Sequence, residues 1–468
     1  MMKLSAIAAL ILATGALMGC ATTNTLKTTG VVSAYVVLGD NGAPVARLIT
    51  TDAQCPMIRF DGHEVRMGLR ALPALEPLRP TRSAPADSKP SEFPIRTCEM
   101  AIPPGTRQAM IGDLALPLPK HEIDRIVVIG DTGCRLKKSE NAYQACNDPD
   151  RYPFAKVAAA AARWNPDLVV HVGDFQYREN KCPENNPGCA GSPWGYGWDT
   201  WQADFFKPGD SLLKAAPWVL VRGNHESCSR AGQGWWRMLD PRPLLAGRDC
   251  NDAGNDKIGD FSEPYAVQLG NDAQLIVFDS SETSGNAIAP DDLRQKIYSD
   301  DYRKIARLSQ QAEFNFMANH HPILGVDAEL DKQGKVELLP GNQGIQSVFG
   351  RINPLIIPSR IDVLLSGHIH VWQEVSFSSP HPTQFVAGFS GTMEDLVPLP
   401  AQLPPGTSPA PGAVIEHHSS WVNGFGFMTM ERKGPKQWKV RIWDSTGKQV
   451  NACDIDGRHS DCELAQVK

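Results

Sequence analysis

Five short apolar runs in this chain each stop at a small cluster of polar residues, and that repeated pairing constrains the fold more than any other feature. Residues 125–130 (RIVVIG) lead into Asp131, Thr132 and Gly133, and residues 168–172 (LVVHV) lead into Gly173, Asp174, Phe175, Gln176 and Tyr177. Residues 218–221 (WVLV) precede Gly223, Asn224, His225 and Glu226. Residues 314–317 (FNFM) precede Asn319, His320, His321 and Pro322, and residues 362–365 (DVLL) precede Gly367, His368, Ile369 and His370. Runs this short and this apolar have the pattern of strands buried in a parallel or mixed sheet. In open α/β sheets ligands gather beyond the carboxyl ends of the strands, so polar residues placed there matter more than the same residues elsewhere. The adjacent glycines permit tight turns and close backbone approach to a bound anion.

The intervening sequence supports a layered α/β arrangement. The Ala-rich stretch 154–164 is helix-forming, and residues 291–311 read as a long helix of mixed polar and apolar character. A further strand is expected at 274–278. Late strands near 384–387, 424–431 and 438–443 follow without helices between them. Together these imply a core of two sheets flanked by helices, with a Pro-rich surface loop at 398–411. At 468 residues the chain exceeds the usual size of one domain. Residues 29–102 show short alternating runs punctuated by Gly and Pro, the grammar of a small β-rich domain, with a Pro/Ala/Ser-rich stretch at 73–94 that reads as a loop or insertion. The expected division is a leader at 1–19, a β-rich N-terminal domain at 20–121 and the α/β domain at 122–468.

The N-terminus has the character of an export signal. Lys3 is followed by an apolar stretch from Leu4 to Met18, shorter than the ~20 residues that cross a bilayer. It ends in Leu17, Met18, Gly19 and Cys20, which resembles the lipobox of bacterial lipoproteins. That resemblance implies cleavage before Cys20, acylation of its thiol, and anchoring in the cell envelope; Ala21 in place of Asp favours the outer membrane. Eleven cysteines less Cys20 leave ten, which fall into sequence neighbours: Cys55 and Cys98, Cys134 and Cys146, Cys182 and Cys189, Cys228 and Cys250, Cys453 and Cys462. In an oxidising compartment these are disulfide candidates, although spacing does not prove connectivity. Zinc sites compete as a reading, but no C-x-x-C pair exists. A net charge of −6 without a long basic run argues against nucleic acid as a partner.

The residue types at the five strand ends suit metal ions. Hard and borderline cations take carboxylate, amide oxygen and imidazole, and one carboxylate can bridge two ions about 3.5–4 Å apart, the spacing that clamps a phosphate in two-metal hydrolases. The set of D-x-G, GDxxY, GNHE, His ahead of Pro, and GHxH resembles the purple acid phosphatases within the calcineurin-like metallophosphoesterases. The wider superfamily opens with D-x-H, whereas this chain has Gly133 at that place and gains Tyr177, as the purple subgroup does. The resemblance covers about residues 125–371.

What the resemblance implies is specific. The fold would be a four-layer α/β/β/α metallophosphoesterase sandwich preceded by the small β-rich domain. Asp131, Asp174, Tyr177 and His370 would hold ferric iron. Asp174 would bridge to a second, divalent ion (iron, zinc or manganese) held by Asn224, His320 and His368. The activity would be hydrolysis of a small phosphate ester by metal-bound hydroxide, with His225 assisting and His321 as a second proton-bearing or substrate-contacting group. A phosphodiesterase or nucleotidase using the same centre, and a non-catalytic metal-binding lipoprotein, are the alternatives. Outside the set, His171 reads as a packed core histidine. His417 and His418 are candidates to reach the site from a late loop, and Trp194, Tyr196, Trp198 and Trp201 could line a cleft or pack.

Overall fold

The computed structural model describes residues 30–467 apart from positions 395, 396, 398 and 401. The expected leader and Cys20 lie outside the described residues. Two mixed sheets face each other. The first has eleven strands; its centre carries Arg125–Ile129, Leu168–His171 and Trp218–Leu220 side by side and parallel. The second has seven strands, with Ala273–Val277, Phe314–Ala318, Val363–Ser366 and Thr383–Ala387 parallel at its centre.

Alternation along these strands explains why their sequences are apolar throughout. Val128 and Val170 point between the sheets, where they meet Leu275, Phe316, Leu365 and Phe385 of the second sheet in one core. Val127 and Val169 point outward against Phe154, Val157 and Ala161 of the helix Phe154–Arg163. On the far side, Ile276, Met317 and Leu364 pack against Tyr298 and Ile305 of the helix Leu293–Leu308 and Val348 and Phe349 of Gln343–Phe349. A strand covered on both faces has no solvent side to mark with polar residues. Leu293–Leu308 starts after Asp292, whose side chain accepts the N–H of Arg294 (2.9 Å), as an N-cap does. The layers are therefore α/β/β/α.

A β-rich region precedes this sandwich, and its strands extend the first sheet. Val31–Leu38 lies parallel to Trp218–Leu220, with Val37 opposite Trp218. Pro44–Thr50, Arg96–Ala101 and Gly68–Ala71 then continue the sheet antiparallel to its edge. A four-stranded sheet that includes Met57–Phe60 and Ala109–Ile111 completes the region. All five cysteine neighbours are disulfide-bonded: Cys55–Cys98, Cys134–Cys146, Cys182–Cys189, Cys228–Cys250 and Cys453–Cys462.

The junction is secured by a buried arginine. Arg47, fully buried, donates to the carbonyls of Met238 (2.6 Å) and Asp240 (3.1 Å) and pairs with Glu99 (3.1 Å). Tyr35 donates to the same Met238 carbonyl (2.7 Å). Burial, with Arg70 adding to it, lowers the Arg47 pKa to about 10, so the side chain keeps its charge at neutral pH. Removing one partner of such a buried network leaves the others unsatisfied, at a cost of about 3–5 kcal/mol. Arg47→Met should therefore lower the urea midpoint of the whole molecule in a single transition. An unchanged midpoint, or early loss of residues 30–121 alone, would show that the N-terminal region is an independent unit.

Candidate metal centre

The five polar clusters meet at one end of the sandwich. Asp131, Asp174 and Asn224 follow strands of the first sheet, while His320, His368 and His370 follow strands of the second. Three of these residues hold left-handed backbone: Asp131 (φ 54°), Asp174 (φ 58°) and His368 (φ 72°). A non-glycine residue there is uncommon and costs on the order of 1–3 kcal/mol unless its surroundings enforce it. The enforcement is visible. Asp131 Oδ2 accepts the N–H of His368 (3.0 Å), and Asp174 Oδ1 accepts that of His225 (2.8 Å), so ligand carboxylates fix the backbone of the facing loops.

Two carboxylates that sequence reasoning did not single out hold the loops from behind. Glu226 accepts the N–H groups of Phe175 (2.8 Å), Asp174 (3.1 Å), Gly223 (3.1 Å) and Gln176 (3.3 Å). Asp204 accepts those of Tyr177 (2.8 Å) and Cys134 (3.0 Å) and the Nε–H of Arg178 (2.5 Å). Glu226 stands inside the GNHE motif, which was the one available signal; nothing local marks Asp204. Gly173 holds the tight turn expected of it (φ 105°), and two further glycines act through space. A Cβ on Gly223 would fall 2.1 Å from Asp174 Oδ1, and one on Gly367 would fall 2.4 Å from Asp131 Oδ2. Here glycine makes room for the ligand carboxylates.

The donor atoms form two groups that share one oxygen. The Tyr177 hydroxyl lies 2.7 Å from Asp131 Oδ1, 2.9 Å from Asp174 Oδ2 and 3.0 Å from His370 Nε2. His320 Nε2 lies 3.1 Å from the same Asp174 Oδ2 and 3.1 Å from Asn224 Oδ1, which is in turn 3.1 Å from His368 Nδ1. Asp131, Asp174, Tyr177 and His320 are almost wholly buried. His320 Nδ1 donates to the Val172 carbonyl (2.9 Å), leaving Nε2 directed at two oxygen acceptors. His370 Nδ1 sits 3.1 Å from the Met393 carbonyl, which turns its Nε2 toward Tyr177 in the same way.

Acceptors converging in a buried space need a positive charge between them. The protonation energetics report that need. Burial acts to lower the His320 pKa, but Asp174 and Asp131 outweigh it and raise it to about 9. Burial would lift Asp174, yet His320, His225 and Arg230 hold it well below the ordinary carboxylate value. Burial, and then Asp131 and Asp174, push the Tyr177 phenol far above its usual range. A proton shared at His320 takes the place a cation would fill. The donor set of two carboxylates, a phenol, an amide and three imidazoles thus suits a dinuclear metal centre.

The other named residues fall into place around this core. His225 is buried, its ring 3.9 Å from that of Tyr177, with Nδ1 at the Gln176 carbonyl (3.1 Å) and Nε2 3.9 Å from Asp174 Oδ2. Arg230, paired with Glu179, reaches the same ring nitrogen at 2.6 Å. His321 stacks beside His368 with centroids 4.2 Å apart. His171 is a core residue, stacked on Phe175 (3.7 Å) and bonded to Thr132 (3.0 Å). His417 and His418 lie on the strand Ile415–Trp421 away from the centre, where His417 bonds Glu374 (2.8 Å). Trp198 and Trp201 belong to the core beneath the first sheet, and Tyr196 donates to Glu179 (2.9 Å).

Residues 124–372 match the calcineurin-like phosphoesterase family, and the chain belongs to it. It is a metallophosphoesterase, a hydrolase, and its fold implies a dinuclear metal centre. The fold is similar to that of the purple acid phosphatase PPD1 from yellow lupin (Lupinus luteus) seeds, with 13% identity, a TM-score of 0.54, and 94% of this chain and 74% of that one covered. The structure of PhoD is a further neighbour, with 11% identity, a TM-score of 0.49, and 93% and 92% covered. No curated protein sequence matches.

Partners that orient metal ligands from outside typically contribute 10–100-fold to metal affinity. Glu226→Gln replaces an acceptor of four N–H groups with an amide that must turn a donor toward some of them. Chelator competition should show metal retention weakened by that order. Unchanged retention would mean that the loops hold their shape without Glu226.

Proposed function

We propose that the chain hydrolyses phosphate monoesters at this centre. Asp131, Asp174, Tyr177 and His370 hold ferric iron, and Asp174, Asn224, His320 and His368 hold a divalent iron, zinc or manganese ion. The observation that supports this best is the sharing of Asp174 Oδ2 between the Tyr177 hydroxyl and His320 Nε2, since a bridging carboxylate is what two neighbouring cations require. When bound, such a pair of ions polarises the phosphoryl group and acidifies water.

The protein's own groups supply orientation and protons. Arg230, held by Glu179, lies against the His225 ring and fixes its orientation beside the Asp174 carboxylate, where we assign His225 the assisting role. Ser280 Oγ accepts the N–H of His321 (3.1 Å) and lies 3.3 Å from His321 Nδ1. With the Ser280 hydroxyl donating its hydrogen bond to Nδ1, a neutral His321 carries its N–H on Nε2, where it can donate a hydrogen bond to the leaving-group oxygen. Burial, then His368 and His320, lower the His321 pKa, which favours that neutral form. Five disulfides support an oxidising compartment. We place the mature chain there, tethered to the bacterial envelope through acylated Cys20.

Purified mature protein should contain two metals per chain, cleave an aryl phosphate monoester faster than the diester, and show a tyrosinate-to-iron band in the visible. Tyr177→Phe should abolish the band. Asp174→Asn combined with Asn224→Ala should lower kcat on the order of 10³-fold, about 4 kcal/mol in barrier; retained hydrolysis in that double variant would sink the reading. For the tether, metabolic labelling with palmitate should tag the wild-type chain and miss Cys20→Ser. Equal labelling would place any acyl chain elsewhere.

A further inference from the structure

The turn that carries Asn224 is clamped by the side chain of a residue just ahead of it. Arg222 is buried, and its Nε–H donates to the carbonyl of Glu226 (2.9 Å), so one side chain bridges the two ends of the turn 223–226. Its Nη1 donates to the Gly259 carbonyl (2.7 Å), and its Nη2 lies 3.4 Å from Asp260 Oδ1. The same Asp260 Oδ1 accepts the N–H of Cys228 (2.6 Å), two residues past Glu226. The Asn224 turn is therefore tied at both ends to residues 259 and 260.

Those residues are themselves held in place. Trp236 donates its indole N–H to the Gly259 carbonyl (3.0 Å), and Cys228–Cys250 closes the segment between, with both sulfurs 4.0 Å from Arg222 Nη2. Gly259 packs against that disulfide: a Cβ there would fall 2.8 Å from Cys228 Sγ. Arginine suits the place because a guanidinium offers donors on three nitrogens in a fixed plane, whereas a lysine offers all of its donors from one. The tyrosine side of the centre hangs from other groups. Asp204 accepts the N–H of Tyr177 (2.8 Å), and His370 Nδ1 meets the Met393 carbonyl (3.1 Å). Arg222 takes the Glu226 carbonyl alone; the Glu226 carboxyl group that gathers the Asp174 loop is a separate contact.

Building on the dinuclear reading above, we infer that Arg222 is a positioning residue for the second metal alone, holding the Asn224 amide where that ion binds. Asn224 Oδ1 lies 3.1 Å from His320 Nε2 and 3.1 Å from His368 Nδ1, so a shift of the turn withdraws the one ligand of that half that the first sheet does not share with the ferric side. Without Arg222 the divalent ion binds more weakly while the ferric ion stays.

Arg222→Lys and Arg222→Met, made in the mature protein and loaded with both metals, test this. Each should release the divalent ion to a chelator about tenfold more readily than wild type, while the tyrosinate-to-iron band keeps its position and strength. Aryl phosphate turnover should fall with the lost ion and return to the wild-type kcat when that ion is supplied in excess. Arg47→Met is the comparison: it removes a buried arginine from the N-terminal junction and should leave divalent retention unchanged. Unchanged retention in both Arg222 variants, joint loss of both metals in Arg222→Lys, or an equal weakening in Arg47→Met would overturn this inference. A wild-type protein that holds both ions yet cleaves no phosphate ester would overturn the phosphoesterase reading and leave the retention result standing.

Discussion

A carboxylate oxygen withdrawn from water and faced by a phenol on one side and an imidazole on the other must be matched by positive charge. Asp174 Oδ2 is in that position, 2.9 Å from Tyr177 and 3.1 Å from His320. In an interior of low dielectric the cost of leaving it uncompensated runs to several kcal/mol. The Asp131 carboxylate, the Asn224 amide oxygen and the two imidazoles of the GHxH motif add to the same demand. The rest of the molecule can be understood as the means of holding these atoms where they would otherwise repel.

That holding is done mostly by backbone. Glu226 and Asp204 between them gather the N–H groups of Asp174, Phe175, Gln176, Gly223, Tyr177 and Cys134, so these loops are tied to two buried carboxyl groups. The left-handed turns at Asp131, Asp174 and His368 then aim side chains inward that a regular strand end would direct elsewhere. The face-to-face sheets provide the larger frame. One contributes Asp131, Asp174 and Asn224 and the other His320, His368 and His370, so the centre lies on the seam between the sheets and depends on their packing. The N-terminal strands lengthen the first sheet, and Arg47 locks them to the segment at Met238–Asp240, downstream of the GNHE loop.

Much of this was legible in the sequence because it is local. An apolar run covered on both faces shows as unbroken hydrophobicity, and the residues after it are where a parallel sheet displays its ligands; all nine expected site residues lie in that neighbourhood. The disulfides joined nearest neighbours for the same reason. What stayed hidden is long-range. Trp372–Phe377 carries glutamine, glutamate and serine within a strand that is buried throughout, so no alternation marks it. The docking of Val31–Leu38 beside Trp218–Leu220 spans some 180 residues and has no local signature. Asp204 sits among aromatic residues in a turn of irregular helix, where nothing in sequence says that it will meet the Tyr177 loop. His417 and His418 show the converse: residue type suggested the site, but strand pairing with Trp372–Phe377 carried them away from it.

Two cations sharing Asp174 would leave a direct signature. Anomalous diffraction from crystals of the metal-loaded protein, collected on either side of the iron absorption edge, addresses it without any substrate. Two peaks about 3.5–4 Å apart should flank Asp174, with the iron signal on the side of Tyr177 and His370. A single peak, or metal bound away from Asp174, would contradict it.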